Sequence, residues 1–159
     1  MVDWIEQWHH DITDVSRLPL PEELEHPPCM VDRRPSAARR RARQVAPASR
    51  LRDCCDYHGQ DWAAASEAAI RLLSRATAEG LTGEELAERV IALAVAEGTG
   101  DRDVEAIRCL VSTVDPLMLD DDGGIYEGRH RIQAMIDQGV RRTVLVRLVL
   151  IDPTTGQPA

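Results

Sequence analysis

PLMLDDDGGIYEGRHRIQAMIDQGVRRTVLVRLVLI, residues 116–151, is the stretch whose reading decides the fold. Its period changes from one segment to the next. Leu117-Met118-Leu119 reads as a short strand, Asp121-Asp122-Gly123-Gly124 as a hairpin turn, and Ile125-Tyr126-Glu127 as the returning strand. Gly128 releases the chain into a helix with Ile132, Met135 and Ile136 on its apolar face, and Gly139 closes it. Thr143 to Ile151 is the strongest strand pattern in the chain, and its nearly continuous aliphatic run predicts burial on both faces.

Upstream of Pro116 the period is helical. Trp62, Ser66, Ala69, Ile70, Leu73 and Ala76 share one face of a helix that starts at Asp61 and stops at Gly80. Thr82-Gly83-Glu84-Glu85 is a capping-box sequence opening a second helix, whose apolar face runs through Leu86, Val90, Leu93 and Ala94 to Gly98. Asp101 is placed to cap a third, buried through Val104, Ile107, Leu110 and Val111. These three helices read as scaffold.

The first fifty residues look different. Trp4, Ile5, Trp8 and Ile12 recur at helical spacing and predict a short amphipathic helix over residues 3–14. Pro19, Pro21, Pro27 and Pro28 rule out regular structure for most of residues 18–28, apart from a single turn at Pro21-Glu22-Glu23-Leu24. Residues 33–52 hold eight arginines, Arg33, Arg34, Arg39, Arg40, Arg41 and Arg43 among them, and no acid. This arm carries +8 in a chain of net charge −8, so everything else sums to −16. Such an asymmetry fits an arm for nucleic acid or a protein partner, and equally one that lies on its own acidic body or stays solvated. The expected organisation is an appendage over residues 1–52, one domain over 53–152 and a tail over 153–159. Its class is α+β, with a helical N-terminal half and a small β-β-α-β core at the C-terminus.

The chemistry concentrates at Glu127-Gly128-Arg129-His130-Arg131, where a strand gives way to a helix. The first backbone N–H groups of a helix lack an intrahelical acceptor and, with the positive end of the macrodipole, attract anions. Arg129, His130 and Arg131 add cationic or donor side chains within one turn. A phosphate would offset the cost of cations at that end of a helix, about 0.3–1 kcal/mol each.

These residues resemble the ParB/sulfiredoxin superfamily core: a Pro-led strand at Pro116, a turn at Asp122-Gly123-Gly124, then Gly128 followed by His130-Arg131 opening a helix, Ala134, Gly139 and a closing strand. The similarity covers about the last third of the chain. It implies phosphate contacts at Gly128, Arg129, His130 and Arg131, with Arg131 foremost, and a nucleotide such as ATP or CTP, with Mg²⁺, as cofactor. Sulfiredoxins carry their nucleophilic cysteine immediately before the His-Arg pair, where this chain has Arg129, so that chemistry is excluded. If the chain is an enzyme, the resemblance implies a nucleotide-dependent phosphohydrolase or phosphotransferase, with Glu127 as the candidate acid and Asp121 and Asp122 as the other nearby carboxylates.

Composition narrows the rest. All nineteen basic residues are Arg, and Lys, Asn and Phe are absent, a bias that suggests a GC-rich bacterial genome and leaves no lysine for Schiff-base or Walker-type chemistry. Three Trp and two Tyr without Phe leave little for base stacking. No apolar run reaches the roughly 18–20 residues that span a bilayer, and the start of the chain does not read as a secretory signal, so a cytoplasmic location is expected. Cys29, Cys54, Cys55 and Cys109 show no disulfide-framework spacing. Cys54-Cys55-x-x-His58 offers metal ligands that Cys29 or His26 would have to complete; lacking a second well-spaced pair, it predicts no metal site. Asp120 to Asp122 reads as a solvated turn and His9-His10 as surface residues.

The leading expectation is thus a phosphate-binding protein that engages a nucleotide or nucleic acid. Two others compete: a non-catalytic interaction module using the N-terminal Trp helix and the Arg arm, and a DNA-binding accessory protein using the arm.

Overall fold

The computed structural model describes residues 3–21, 54–119 and 122–158. The arginine arm, with Arg33, Arg34, Arg39, Arg40, Arg41 and Arg43, lies outside the described residues, as do His26, Cys29, Asp120 and Asp121. The described chain is mixed α+β, with four α-helices and antiparallel strand pairs. In order, strand β1 (Ile5–Asp14) leads through a 3-10 turn (Val15–Arg17). Helices α1 (Trp62–Ala78), α2 (Gly83–Ala96) and α3 (Asp101–Val111) follow. A hairpin of β2 (Met118–Leu119) and β3 (Ile125–Glu127), then helix α4 (Arg129–Asp137) and strand β4 (Arg142–Ile151), complete it.

The largest departure from expectation is at residues 3–14, where Ile5–Asp14 form a strand and no amphipathic helix is present. β1 pairs antiparallel with β4 along its whole length, from Ile5 opposite Ile151 to Asp14 opposite Arg142. The physical reason lies in the spacing. Trp4, Trp8 and Ile12 stand four apart, which satisfies a helical stripe and equally one face of a strand. Tertiary pairing decides between the two, setting Trp8 opposite Leu148 and Ile12 opposite Val144. An interaction helix bearing Trp4 and Trp8 is therefore not what the chain forms.

The three scaffold helices follow the sequence closely. Asp61 caps α1 by accepting the Ala64 N–H at 2.9 Å, and Ala65, Ala69, Leu72, Leu73 and Ala76 face the core. The Thr82 capping box does not form: Thr82 sits at the N-cap position of α2 but its side chain makes no cap hydrogen bond. The core is aliphatic, centred on Leu72, Val90, Ile107, Leu110, Val111, Leu117, Ile132, Met135 and Val144, all buried.

β4 is not buried on both faces throughout. Val144, Leu145 and Val146 are buried, whereas Arg147, Leu148 and Leu150 are exposed, because nothing among the described residues covers the distal half of this two-stranded sheet. The hairpin and α4 occur where expected, and the order β2, β3, α4, β4 is the anticipated β-β-α-β sequence. The closing strand, however, pairs with β1 and not with the hairpin.

Candidate functional site

Gly128 opens α4 in the left-handed conformation, at φ +92°. A Cβ there would also stand 3.2 Å from Leu117 Cγ, so conformation and close packing both require glycine. The helix has no side-chain cap hydrogen bond and no acid in its first turn, and Gly128, Arg129 and His130 are partly exposed. Glu127 and Asp122 are exposed.

The three cationic side chains of this turn do not converge. Arg131 is buried, with 2% of its side chain exposed. It donates from Nη1 to the Cys109 carbonyl at 2.6 Å and from Nη2 to Asp115 Oδ2 at 3.4 Å. Cys109 lies in the last turn of α3, whose final carbonyls have no intrahelical donor, so Arg131 serves as a side-chain cap for that helix end. The expectation that Arg131 leads the phosphate contacts is corrected accordingly: its guanidinium is buried inside the fold, with Nη1 on the Cys109 carbonyl and Nε without a hydrogen-bond partner among the described residues. Arg129 reaches back, with Nε 3.5 Å from the Ile125 carbonyl. His130 turns toward the loop before α1.

That loop, residues 54–61, supplies a constellation the sequence reading left incomplete. Cys55 Sγ lies 3.2 Å from His58 Nδ1 and 3.1 Å from His130 Nε2. It also accepts the backbone N–H of His58 at 3.3 Å. On its other edge, His58 Nε2 meets Asp137 Oδ2 at 3.0 Å, while Asp137 Oδ1 accepts from Gln133 Nε2 at 3.0 Å. The side chains of His58 and Asp137 are 1% and 4% exposed. Cys54 joins the group, since the ligand atoms of Cys54, Cys55 and His58 all lie within 4.8 Å of one another.

The elements that hold this group are well fastened. Gln138, just past α4, accepts the Trp62 N–H at 2.9 Å and donates to the Gln60 carbonyl at 2.8 Å. Arg102 at the start of α3 donates to the Gly59 carbonyl at 2.8 Å. Tyr57 packs on His130 with ring centroids 4.6 Å apart, and His58 meets the same ring edge-on at 5.5 Å.

A carboxylate accepts only, so His58 donates to Asp137 from Nε2 and turns its Nδ1 edge to Cys55. Burial lowers the pKa of His130, and repulsion from His58 adds to the effect, so this imidazole is held neutral. The arrangement brings two thiols and two imidazoles together, with a carboxylate fixing the tautomer of one of them.

His9 and His10, expected at the surface, are half-buried. His10 Nε2 donates to the Val111 carbonyl at 2.7 Å, so it and Arg131 together serve the carboxyl end of α3.

No family model, curated protein or solved structure matches the chain. Among the described residues, no helix is long and apolar enough to cross a membrane.

Proposed function

We propose that the protein binds a phosphate group, borne by a nucleotide or a nucleic acid, at the opening of α4. One observation carries this reading: the first turn of α4 has no side-chain cap, contains no acid, and begins at a partly exposed glycine followed by Arg129. Uncapped amides at the positive end of a helix are the element that anions take. The chain order from Pro116 to Ile151, resembling the ParB/sulfiredoxin core, favours phosphate as that anion. The contacts are narrower than the motif suggests, namely the amides that follow Gly128 and the Arg129 side chain, with Arg131 and His130 engaged elsewhere.

The reading is one of binding. Glu127, the acid singled out for a nucleotide-dependent phosphohydrolase or phosphotransferase, is exposed, and no bond-breaking step is assigned. The protein-interaction alternative loses its helix, because Trp8 lies in β1. DNA binding through the arm concerns residues outside those described.

A thermal-shift screen tests the proposal. ATP, CTP, GTP and their diphosphates, each with and without Mg²⁺, are added to the protein, and at least one raises Tm by mass action. Arg129→Ala weakens the shift and leaves the Tm of the unliganded protein unchanged. A screen flat for every nucleotide and for a short oligonucleotide would overturn the reading.

A further inference from the structure

We infer that Cys54, Cys55, His58 and His130 form a tetrahedral binding site for a zinc-class divalent cation, backed by Asp137, which clamps the loop before α1 onto α4. The site is independent of phosphate binding.

The donor set comes first. Two thiols and two imidazoles are the combination that zinc takes in closed, four-coordinate sites. With Zn–S near 2.3 Å and Zn–N near 2.0–2.1 Å, tetrahedral angles put ligand sulfur and nitrogen about 3.5 Å apart. Cys55 Sγ stands 3.2 Å from His58 Nδ1 and 3.1 Å from His130 Nε2, close to the ligand spacing a cation needs. The ligand atoms of Cys54, Cys55 and His58 all lie within 4.8 Å of one another, and His130, outside that group, reaches it through Cys55, so loading a cation draws Cys54 and His130 in around Cys55.

The surroundings supply the second observation. Metal-bound imidazoles characteristically donate their other N–H to a carboxylate, which fixes the tautomer and makes the ligand nitrogen more basic. His58 does this to Asp137 at 3.0 Å, and Asp137 is itself held by Gln133. His58, Gln133 and Asp137 are all buried, a costly group to place in an aliphatic core. A cation whose charge is met by two thiolates accounts for that burial.

The same atoms invite a second reading, in which Cys55 is a nucleophile, His58 its base and Asp137 the orienting acid. Two features favour the cation. A nucleophile needs one base and an open approach, yet Cys55 Sγ is contacted by two imidazoles and by the His58 amide. A triad also has no use for Cys54, which lies in the same cluster.

Cobalt(II) titration of the reduced, full-length, tag-free protein decides the matter. Tetrahedral cobalt absorbs in the visible, and each thiolate bound to it adds a near-ultraviolet charge-transfer band. The expected result is saturation at about one equivalent with two thiolates bound, displacement by zinc, and a rise in Tm on loading. Cys55→Ser removes one of the two thiolates and cuts the charge-transfer band at least to half, and Asp137→Asn weakens cobalt binding about 10–100-fold. The wild-type titration needs no variant to fold, and circular dichroism checks those that are made. The inference is overturned if no saturable tetrahedral spectrum appears, or if the charge-transfer band is undiminished in Cys55→Ser. It is equally overturned if iodoacetamide modifies Cys55 well ahead of Cys54 and Cys109 and zinc gives no protection, the signature of a nucleophile.

Discussion

Arg131 and Cys109 are joined through the interior, the guanidinium Nη1 donating to the backbone carbonyl at 2.6 Å. The bond ties the first turn of α4 to the last turn of α3, and the ion pair with Asp115 extends it into the segment that leads to β2. A residue whose place in the motif points to ligand contact is therefore part of the frame.

Removing that guanidinium strands a buried carbonyl, which costs about 1–3 kcal/mol. Arg131→Ala should accordingly lower Tm, by about 2–4 °C for each kcal/mol in a chain of this size. Arg131→Lys should recover only part of the loss, because an ammonium cannot serve Cys109 and Asp115 with the same planar fork. Thermal denaturation followed by circular dichroism reads both, and an unchanged Tm for Arg131→Ala would contradict the buried geometry.

Gly128 offers a test of backbone strain. Its φ of +92° strains any L side chain, and a methyl group 3.2 Å from Leu117 Cγ would oblige that side chain to shift. Gly128→Ala should destabilise the protein by about 1–2 kcal/mol from conformation alone, with the Leu117 contact adding to it. Urea unfolding should show the midpoint falling with no change in slope.

Acid should weaken the fold through its half-buried histidines. Burial lowers the pKa of His10 below the ordinary imidazole value, the hydrogen bond to Val111 opposing it, and burial likewise lowers that of His130. A histidine with a depressed folded pKa leaves the unfolded chain binding more protons, so unfolding free energy rises with pH. This contribution is complete above the unfolded value near 6.5 and is lost as pH falls from there toward the lowered folded values. His10→Gln retains a donor for the Val111 carbonyl and should flatten the slope of Tm against pH below that point.

The strand at Ile5–Asp14 makes a prediction that a helix would not. In an antiparallel pair, alternate amides of β1 face β4 and the others face away. Hydrogen exchange by NMR should show protection alternating with a period of two residues along β1. Protection of every amide after the first turn would indicate a helix.

The sequence and the structure agree where the signal is local. Asp61, Gly80 and Gly98 punctuate the helices within a residue or two of their observed bounds, and the apolar face read from Trp62 to Ala76 is the buried one, whereas α3 is capped at Gly100 and not by Asp101 and ends at Val111, well before Pro116. Agreement ends where pairing across the chain decides. Trp4, Trp8 and Ile12 fit two periods at once, and only β4, joined to β1 by contacts such as Asp11 to Arg147 at a separation of 136 residues, selects between them.

The metal-type cluster failed to be legible for the same reason. Cys54-Cys55-x-x-His58 was visible, but its completion was sought in His26 and Cys29, upstream and close in sequence. The partner is His130, 75 residues from Cys55, hidden inside a motif that already suggested another role. Asp137 is a lone acid near the end of α4, and nothing local marks it as the buried acceptor for His58.

The β1–β4 ladder has a consequence for biogenesis. A polypeptide leaving the ribosome exposes Ile5–Asp14 long before Arg142–Ile151 has been synthesised, so the sheet closes late, after the helices have had time to assemble. Until then Trp8 and Ile12 lack their cross-strand neighbours, and this interval is when the nascent chain is most exposed to aggregation or to capture by a chaperone.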